Sequence, residues 1–467
     1  MFDLLKHGEN PCLVGDERSY SYFEIHKEVL LIKPFLGDRS LILCLCENSI
    51  PSLVGYISFM VHDQVPILVE GAQKTEVLLN TIANYLPDYI WAQNSRLDSL
   101  PEGEVIYRLE TYVLLKLANP SNAGSKVNDQ LQMLLTTSGS TGSSKFVRLS
   151  RDNLIANAAS IIEYLQICAE DVAPMILPYS YSFGLSIINT HLLAGASIIV
   201  SKLTPLSKDF WELVQQKRIT SLSGVPYTFE MLKRIKFERF ELNSIRYLSQ
   251  AGGKMTKEGL DYLRKVSMEK GWRCFVMYGQ TEATARMSYL PAECFDLKLG
   301  CIGRPVPGGN FSIIDVAGNN IKSSFIQGEL VYTGANVAMG YATGKEDLTR
   351  GDDWNGTLQT GDIGYRDEQG FYYITGRLKR FIKIFGNRVS LDEVEVLLQT
   401  AFSDCEFICL GYDDCLKISY KGEVSRDELV AYVSRQLGIH RSAIKCNEIT
   451  EIPRLSNGKV NYGSFIQ

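Results

Sequence analysis

The chain is short of the residues that make several kinds of site. It has 5 His in 467 residues, and they stand far apart at positions 7, 26, 62, 191 and 440. It has 11 Cys, an odd number, and none forms a Cys-x-x-Cys pair. This spacing disfavours a zinc site and a disulfide framework, and the thiols read as small hydrophobic side chains in a reducing compartment. Basic charge is not in surplus: 48 Lys and Arg face 53 Asp and Glu, a net charge of −5. A nucleic-acid partner would want a basic stripe, and this balance gives no electrostatic reason to expect one. Long apolar runs are missing too. The most apolar stretch, "SIPSLVGYISFMVHDQVPILV", is interrupted by Pro51, His62 and Asp63, whereas a membrane-spanning helix needs about 20 consecutive apolar residues. The opening "MFDLLKHGENP" carries no signal-peptide core. A cytoplasmic protein without a membrane span is the expectation. There are no repeats.

What remains is a globular composition, 45% hydrophobic and 22% charged, long enough for two or three domains. "SLILCLCEN" (40–48), "SIPSLVGYISFMVHD" (49–63) and "VPILVE" (65–70) read as strand, helix and strand, a β-α-β unit that favours a parallel sheet. "RDNLIANAASIIEYLQI" reads as a helix with Leu154, Ile155, Ala158, Ile161, Ile162 and Leu165 on its buried face. Alternation continues through "ASIIVS", "LSKDFWELVQQKR", "ITSLSGVP", "IRYLSQAGG" and "WRCFVMYG". From about residue 300, closely spaced Gly and Pro turns between short alternating strands indicate a β-rich subdomain. After "GFYYITGR", Ser390 with Glu393 and Ser425 with Glu428 form capping boxes before two helices, the second ended by Gly438. Strands "CEFICLGY" and "CLKISYKG" lie between them. The expected architecture is α/β: a large N-terminal domain over 1–378 with a β-rich subdomain at about 300–378, and a small α+β C-terminal domain over 380–467.

"LQMLLTTSGSTGSSKFVRLS" (131–150) raises the functional question. It is not a Walker A loop, because Gly142 is followed by Ser143, Ser144 and then Lys145. A flexible Ser/Gly linker is one reading. The other is a polyphosphate cradle: Gly139 and Gly142 turn backbone N–H groups inward, Thr137, Ser138, Ser140 and Thr141 offer hydroxyls, and Lys145 adds charge. Three distant stretches favour the cradle: "YGQTEAT" (278–284), "LQTGDIGYRDEQGFYYITGRLKRFIKIFGNRVSLDEVE" (358–395) and "PRLSNGKVNY" (453–462).

With the Ser/Thr/Gly loop, and in this order, these stretches resemble the adenylate-forming (AMP-binding) superfamily, which includes acyl- and aryl-CoA synthetases, nonribosomal peptide synthetase adenylation domains and luciferases. The resemblance runs over nearly the whole chain. It implies ATP-dependent conversion of a carboxylic acid to an acyl-adenylate with release of pyrophosphate, then thioester formation on CoA or on the phosphopantetheine of an acyl carrier protein. Mg2+ accompanies ATP. It further implies roles residue by residue. Thr281 contacts the α-phosphate, Glu282 is the magnesium ligand, and Lys459 reaches the forming anhydride from the small domain. Tyr278, with Gly279 and Gln280, lies at the adenine, which Gly252, Gly253 and Lys254 edge. Asp362 and Arg377 hold the ribose. Lys379 is the hinge about which the small domain turns between half-reactions, and Phe385, Gly386 and Asn387 face the thiol tunnel.

The acid pocket falls on "LPYSYSFGL" (177–185), at Tyr181, Phe183 and Gly184. Tyr181 stands where acyl-CoA synthetases often carry His. Residues 177–186 contain no Asp or Glu, which disfavours an α-amino acid, whose ammonium would be buried unpaired. Arg151 replaces a His common after the phosphate loop. Arg286 reads as a structural ion-pair or surface residue; the alternative is a group that binds a second carboxylate of the substrate. Arg380, Lys383 and Arg388 are available to either thiol acceptor. The competing functions are amino-acid adenylation, transfer of the adenylate to an amine, and a nucleotide-binding scaffold. The scaffold has no need of Thr281, Glu282, Asp362, Arg377 and Lys459 together.

Overall fold

The computed structural model describes residues 1–118, 127–136, 145–378, 380–384, 387–412, 414–456 and 458–465. They form two compact units. The larger comprises Met1–Asn310, Thr333–Leu358 and Ser456–Lys459. The smaller comprises Phe311–Tyr332, Gln359–Leu455 and Val460–Gln467.

The β-α-β reading of residues 40–70 holds in the larger unit. Strand Leu41–Cys46 leads through helix Ile50–Val61 to strand Val65–Glu70, and the two strands pair in parallel. Every residue of Leu41–Cys46 is buried, as expected for a strand covered on both faces. The pair sits at the centre of an eight-stranded sheet that also contains Leu131–Thr136 and Phe146–Ser150, the strands on either side of the Ser/Thr/Gly loop. A five-stranded sheet begins with parallel strands Ser221–Gly224, Tyr247–Gln250 and Arg273–Tyr278 and ends with antiparallel Ser288–Leu290 and Arg304–Pro305. The C-terminal ends of the second and third strands deliver Gly252 and Tyr278, so loops on one edge of this sheet carry two of the expected adenine residues. Four further strands, including Pro11–Val14 and Ser197–Ile199, make a third sheet.

The β-rich stretch divides its strands. Arg304–Pro305 and Gly340–Ala342 complete sheets of the larger unit, while Gly309–Ile314, Gly328–Gly334, Thr357–Arg366 and Tyr372–Arg377 form a four-stranded sheet of their own. The smaller unit also holds helices Leu391–Ala401 and Arg426–Leu437 and a three-stranded sheet. Ser390 and Ser425 accept the N–H groups of Glu393 and Glu428, and Gly438 ends the second helix in the left-handed conformation at φ 64°. The third strand of that sheet, Ile444–Glu448, pairs in parallel with Cys415–Lys421 and was not legible as a strand in a polar sequence.

One expected face is rotated. In helix Arg151–Leu165, Ile155 is 38% exposed, whereas Asn153, Asn157 and Ser160 are buried with Leu154, Ala158, Ile161 and Leu165. Hydrogen bonding decides this: Asn153 Nδ2 donates to the Ala335 carbonyl at 2.8 Å and Asn157 Nδ2 to the Arg286 carbonyl at 2.9 Å. Buried polar groups with such partners cost little. All 11 cysteines are free, most of them buried, and burial raises the thiols of Cys274 and Cys46 to about 12. Among the described residues no helix is long and apolar enough to cross a membrane.

Candidate active site

The strand Arg273–Tyr278 runs into a loop that the chain holds in an unusual shape. Thr281–Ala283 makes one 3-10 turn, and Thr284 follows at φ 65°, a conformation that a β-branched residue rarely adopts. Gly279 is required for a close approach: a Cβ there would lie 1.9 Å from the Ala285 carbonyl oxygen. Asn336 pins the loop. Its Nδ2 donates to the carbonyls of Ala283 (3.1 Å) and Arg286 (2.8 Å), and its own carbonyl accepts from the Thr284 hydroxyl at 2.7 Å. Backbone strain of this kind persists only where the surroundings over-determine it.

That loop presents Thr281 and Glu282. Thr281 is buried, with its hydroxyl 3.3 Å from that of Ser182 in the first turn of helix Ser182–Ala194. Glu282 accepts a hydrogen bond at 2.8 Å from the Tyr341 hydroxyl. The Tyr341 ring carries the Lys145 ammonium 3.5 Å from its centroid. Burial and the neighbouring Glu282 carboxylate both raise the Tyr341 phenol, so the phenol keeps its proton and acts as a donor. A basic, an aromatic and an acidic side chain from positions 145, 341 and 282 are thereby linked.

Two more expected residues meet beside them. Tyr181 precedes helix Ser182–Ala194, and the Lys459 ammonium lies 4.9 Å from its ring centroid. Gly252 has φ 87°, and a Cβ on it would meet the Tyr181 hydroxyl at 2.6 Å and Lys459 Cε at 3.6 Å. Positions 181, 252 and 459, far apart in sequence, thus converge within the larger unit. Burial pushes the Tyr181 phenol up to about 12, against the charge of Arg286. Gly184 answers a packing need, since a Cβ would stand 2.2 Å from the Pro178 carbonyl oxygen. Gly253 and Lys254 are exposed. Tyr278 is partly buried, and Gln280 Nε2 donates to its hydroxyl at 3.3 Å.

In the smaller unit Asp362 is 1% exposed and Arg377 Nε donates to its Oδ1 at 2.8 Å. The two face each other across the antiparallel pair of strands Thr357–Arg366 and Tyr372–Arg377. Thr137, Ser138, Gly139, Ser140, Thr141, Gly142, Lys379, Phe385 and Gly386 lie outside the described residues, as does the side chain of Asn387.

A family model described as AMP-binding enzyme matches residues 58–342, more than half of the chain. The chain belongs to the AMP-binding enzyme family. Among curated relatives, 4-coumarate-CoA ligase 1 of Narcissus pseudonarcissus is 29% identical over 71% of this chain and 63% of its own length. The putative acyl-CoA synthetase YngI of Bacillus subtilis is 26% identical over 86% of this chain and 74% of its own. The fold is that of O-succinylbenzoate coenzyme A synthetase from Bacillus subtilis, solved in complex with AMP: TM-score 0.79 at 20% identity, covering 99% of this chain and 98% of that one.

Three arginines of this AMP-binding enzyme have settings that differ from those expected. Arg151 is a structural cation, bonded to Asp63 at 2.7 Å and to Gln132 at 3.0 Å. Arg380 is not available to an acceptor: it pairs with Asp392 and with Glu395 (2.7 Å), and donates to the Cys409 carbonyl at 2.8 Å. Arg286 is neither a surface residue nor an ion-paired one among the described residues. It is 3% exposed, with its guanidinium 3.9 Å from the centroid of Phe183. Tyr341, Asn336 and Asn157 carry no mark in the sequence, because an isolated Tyr or Asn in a strand, turn or helix has no pattern. The "GANVAMGY" stretch that holds Asn336 and Tyr341 was the available signal.

Proposed function

We propose that this AMP-binding enzyme is an AMP-forming acid–thiol ligase. It activates a small carboxylic acid with ATP to an acyl-adenylate, releases pyrophosphate, and transfers the acyl group to a thiol. The observation that carries this is the meeting of Lys459 with Tyr181 and Gly252, next to the loop that presents Thr281 and Glu282. A cation delivered there can stabilise charge that develops as the carboxylate attacks the α-phosphorus, and this kind of catalysis rests on positioning and electrostatics. Thr281 donates to the α-phosphate, Lys145 and the Thr137–Gly142 loop hold the outer phosphates, Tyr278 and Gly252–Lys254 bound the adenine, and Asp362 with Arg377 holds the ribose.

Glu282 is the protein's ligand for Mg2+. Among the described residues no group of three or more His, Cys, Asp or Glu forms a metal cage. A single carboxylate suits Mg2+, which keeps waters and binds through substrate phosphates. When bound, it would neutralise phosphate charge. Several similar proteins are named for such chemistry: a 2-succinylbenzoate–CoA ligase of Bacillus cereus, and structural neighbours in complex with ATP and magnesium or with an acyl-adenylate.

The acceptor is CoA, in keeping with the named relatives, and an acyl carrier protein is the second candidate. The small domain, Arg380 onward, turns about Lys379 to admit the thiol through Phe385–Asn387. Eleven free thiols suit a cytoplasmic setting. The test is ATP–pyrophosphate exchange over a panel of aliphatic, aryl, dicarboxylic and amino acids, followed by thioester formation with CoA or a phosphopantetheinylated carrier. Exchange with a carboxylic acid and a CoA thioester are expected. No exchange with any acid would leave the scaffold reading.

A further inference from the structure

Arg286 stands out because no carboxylate among the described residues answers its charge. The other arginine deeply buried among the described residues, Arg148, shows what satisfaction looks like. It pairs with Asp353 at 2.5 Å and donates to the carbonyls of Tyr341, Arg350, Gly351 and Met339 at 2.7–3.2 Å. Arg286 has no carboxylate partner among the described residues. Its Nη1 donates to the neighbouring Ala285 carbonyl at 3.4 Å, and its Nε has no hydrogen-bond partner. Its surroundings are aromatic and uncharged: Phe183 lies under the guanidinium, Tyr164 offers it a neutral hydroxyl oxygen, and Tyr181 is close enough to act on its charge. Tyr164 spends its hydroxyl proton on Met277 Sδ at 3.0 Å. A guanidinium stays protonated in proteins, and burying a charge unpaired is costly.

The position is built rather than accidental. The Arg286 carbonyl accepts from both Asn157 and Asn336, which fixes the main chain from two sides. The side chain is thereby aimed at Phe183, two residues from Tyr181 on the segment that opens helix Ser182–Ala194. The rings of Tyr181 and Phe183 are 6.4 Å apart. One carries the Lys459 ammonium and the other the Arg286 guanidinium. Two cations, each on one of two adjacent aromatic rings, make a site for a molecule with two acceptor ends. If Lys459 attends the carboxylate being activated, the group at Arg286 is a different one.

We infer that Arg286 is a specificity-determining residue that binds a second anionic group of the acid substrate, a carboxylate or its equivalent, at the Phe183 end of the acid pocket. The inference rests on the ligase reading above. The free Nε and the Nη groups can donate side by side to one carboxylate, the bidentate geometry for which guanidinium is suited. The anion would supply the missing charge, and the aromatic walls would keep water from screening the pair.

The test is pyrophosphate exchange with matched pairs: the linear diacids from malonate to adipate and 4-carboxycinnamate, each against its monomethyl ester. Wild type, Arg286→Met and Arg286→Lys are compared. Wild type should prefer the diacid in its best pair. Arg286→Met should lower kcat/KM for that diacid about 100-fold relative to its monoester, chiefly through KM for the acid rather than KM for ATP. Arg286→Lys should fall between, since it keeps the charge but not the fork. Wild type that prefers the monoester throughout, or an Arg286→Met protein with an unchanged diacid-to-monoester ratio, overturns this inference alone. The wild-type preference requires no variant to fold. No exchange with any acid in the panel overturns the ligase reading and this inference with it.

Discussion

Replacing Arg148 with Met should destabilise the protein, whereas replacing Arg286, the other arginine buried among the described residues, should not. Arg148 is fully buried and bonded to Asp353 and four carbonyls. Removing it leaves Asp353 and those oxygens without their donor, and breaking a buried pair in this way costs about 3–5 kcal/mol. Arg286 has one long contact to Ala285, the neutral Tyr164 hydroxyl and a stacked Phe183, and no carboxylate among the described residues. Its loss forfeits a desolvated cation–π contact of about 2 kcal/mol, yet also removes a burial penalty of several kcal/mol for an unpaired ion. Met fills the space and packs against aromatic rings. Arg286→Met should therefore range from unchanged to about 2 kcal/mol more stable, by the balance of those two terms. Urea unfolding followed by tryptophan fluorescence reads this out cleanly, because all 4 Trp, at 91, 211, 272 and 354, belong to the larger unit that contains both arginines. If Arg286→Met lowers the midpoint as much as Arg148→Met, the Arg286 guanidinium is a satisfied strut, and the reasoning from its missing partner fails.

Other outcomes follow from the site. Tyr341→Phe removes the 2.8 Å hydrogen bond to Glu282 and keeps the ring under Lys145; a bond to a charged group is worth about 1.5–3 kcal/mol, so kcat/KM should drop about 10- to 100-fold and the magnesium requirement should rise, while an unaltered magnesium titration would detach Tyr341 from Glu282's role. Lys459→Ala should slow adenylate formation by about 10²–10³, as for loss of one transition-state donor, and spare thioester formation from a pre-made adenylate; equal losses in both half-reactions would count against alternation. Asp362→Asn leaves Arg377 facing a neutral amide and should raise the KM for ATP with acid preference unchanged, and a shifted acid preference would place Asp362 elsewhere. Gly279→Ala forces a Cβ to 1.9 Å from the Ala285 oxygen and should abolish exchange while the melting temperature falls only modestly; full activity would mean the loop relaxes freely.

The sequence by itself determined the elements and the inventory of chemical groups. Local rules suffice for these. Apolar runs of strand and helix length specified the β-α-β unit at 40–70, and Ser390, Ser425 and Gly438 marked helix ends through short-range hydrogen bonds and a left-handed φ. The order of the Ser/Thr/Gly loop, "YGQTEAT", "TGD", "ITGR" and "NGK" named most candidate site residues. Tertiary structure alone decided which groups face one another. Asn153 and Asn157 turned helix Arg151–Leu165 so that Ile155 faces outward, because two carbonyls 182 and 129 positions away needed donors. Tyr341 became Glu282's partner through the pairing of Gly340–Ala342 with Phe146–Ser150. Arg286 shows the limit most plainly. An arginine in a sequence carries no mark of its partners, and the expected default is the surface or an ion pair. Whether a guanidinium is met by a carboxylate, as Arg148 is, or left against a phenyl ring depends on contacts made across the whole fold.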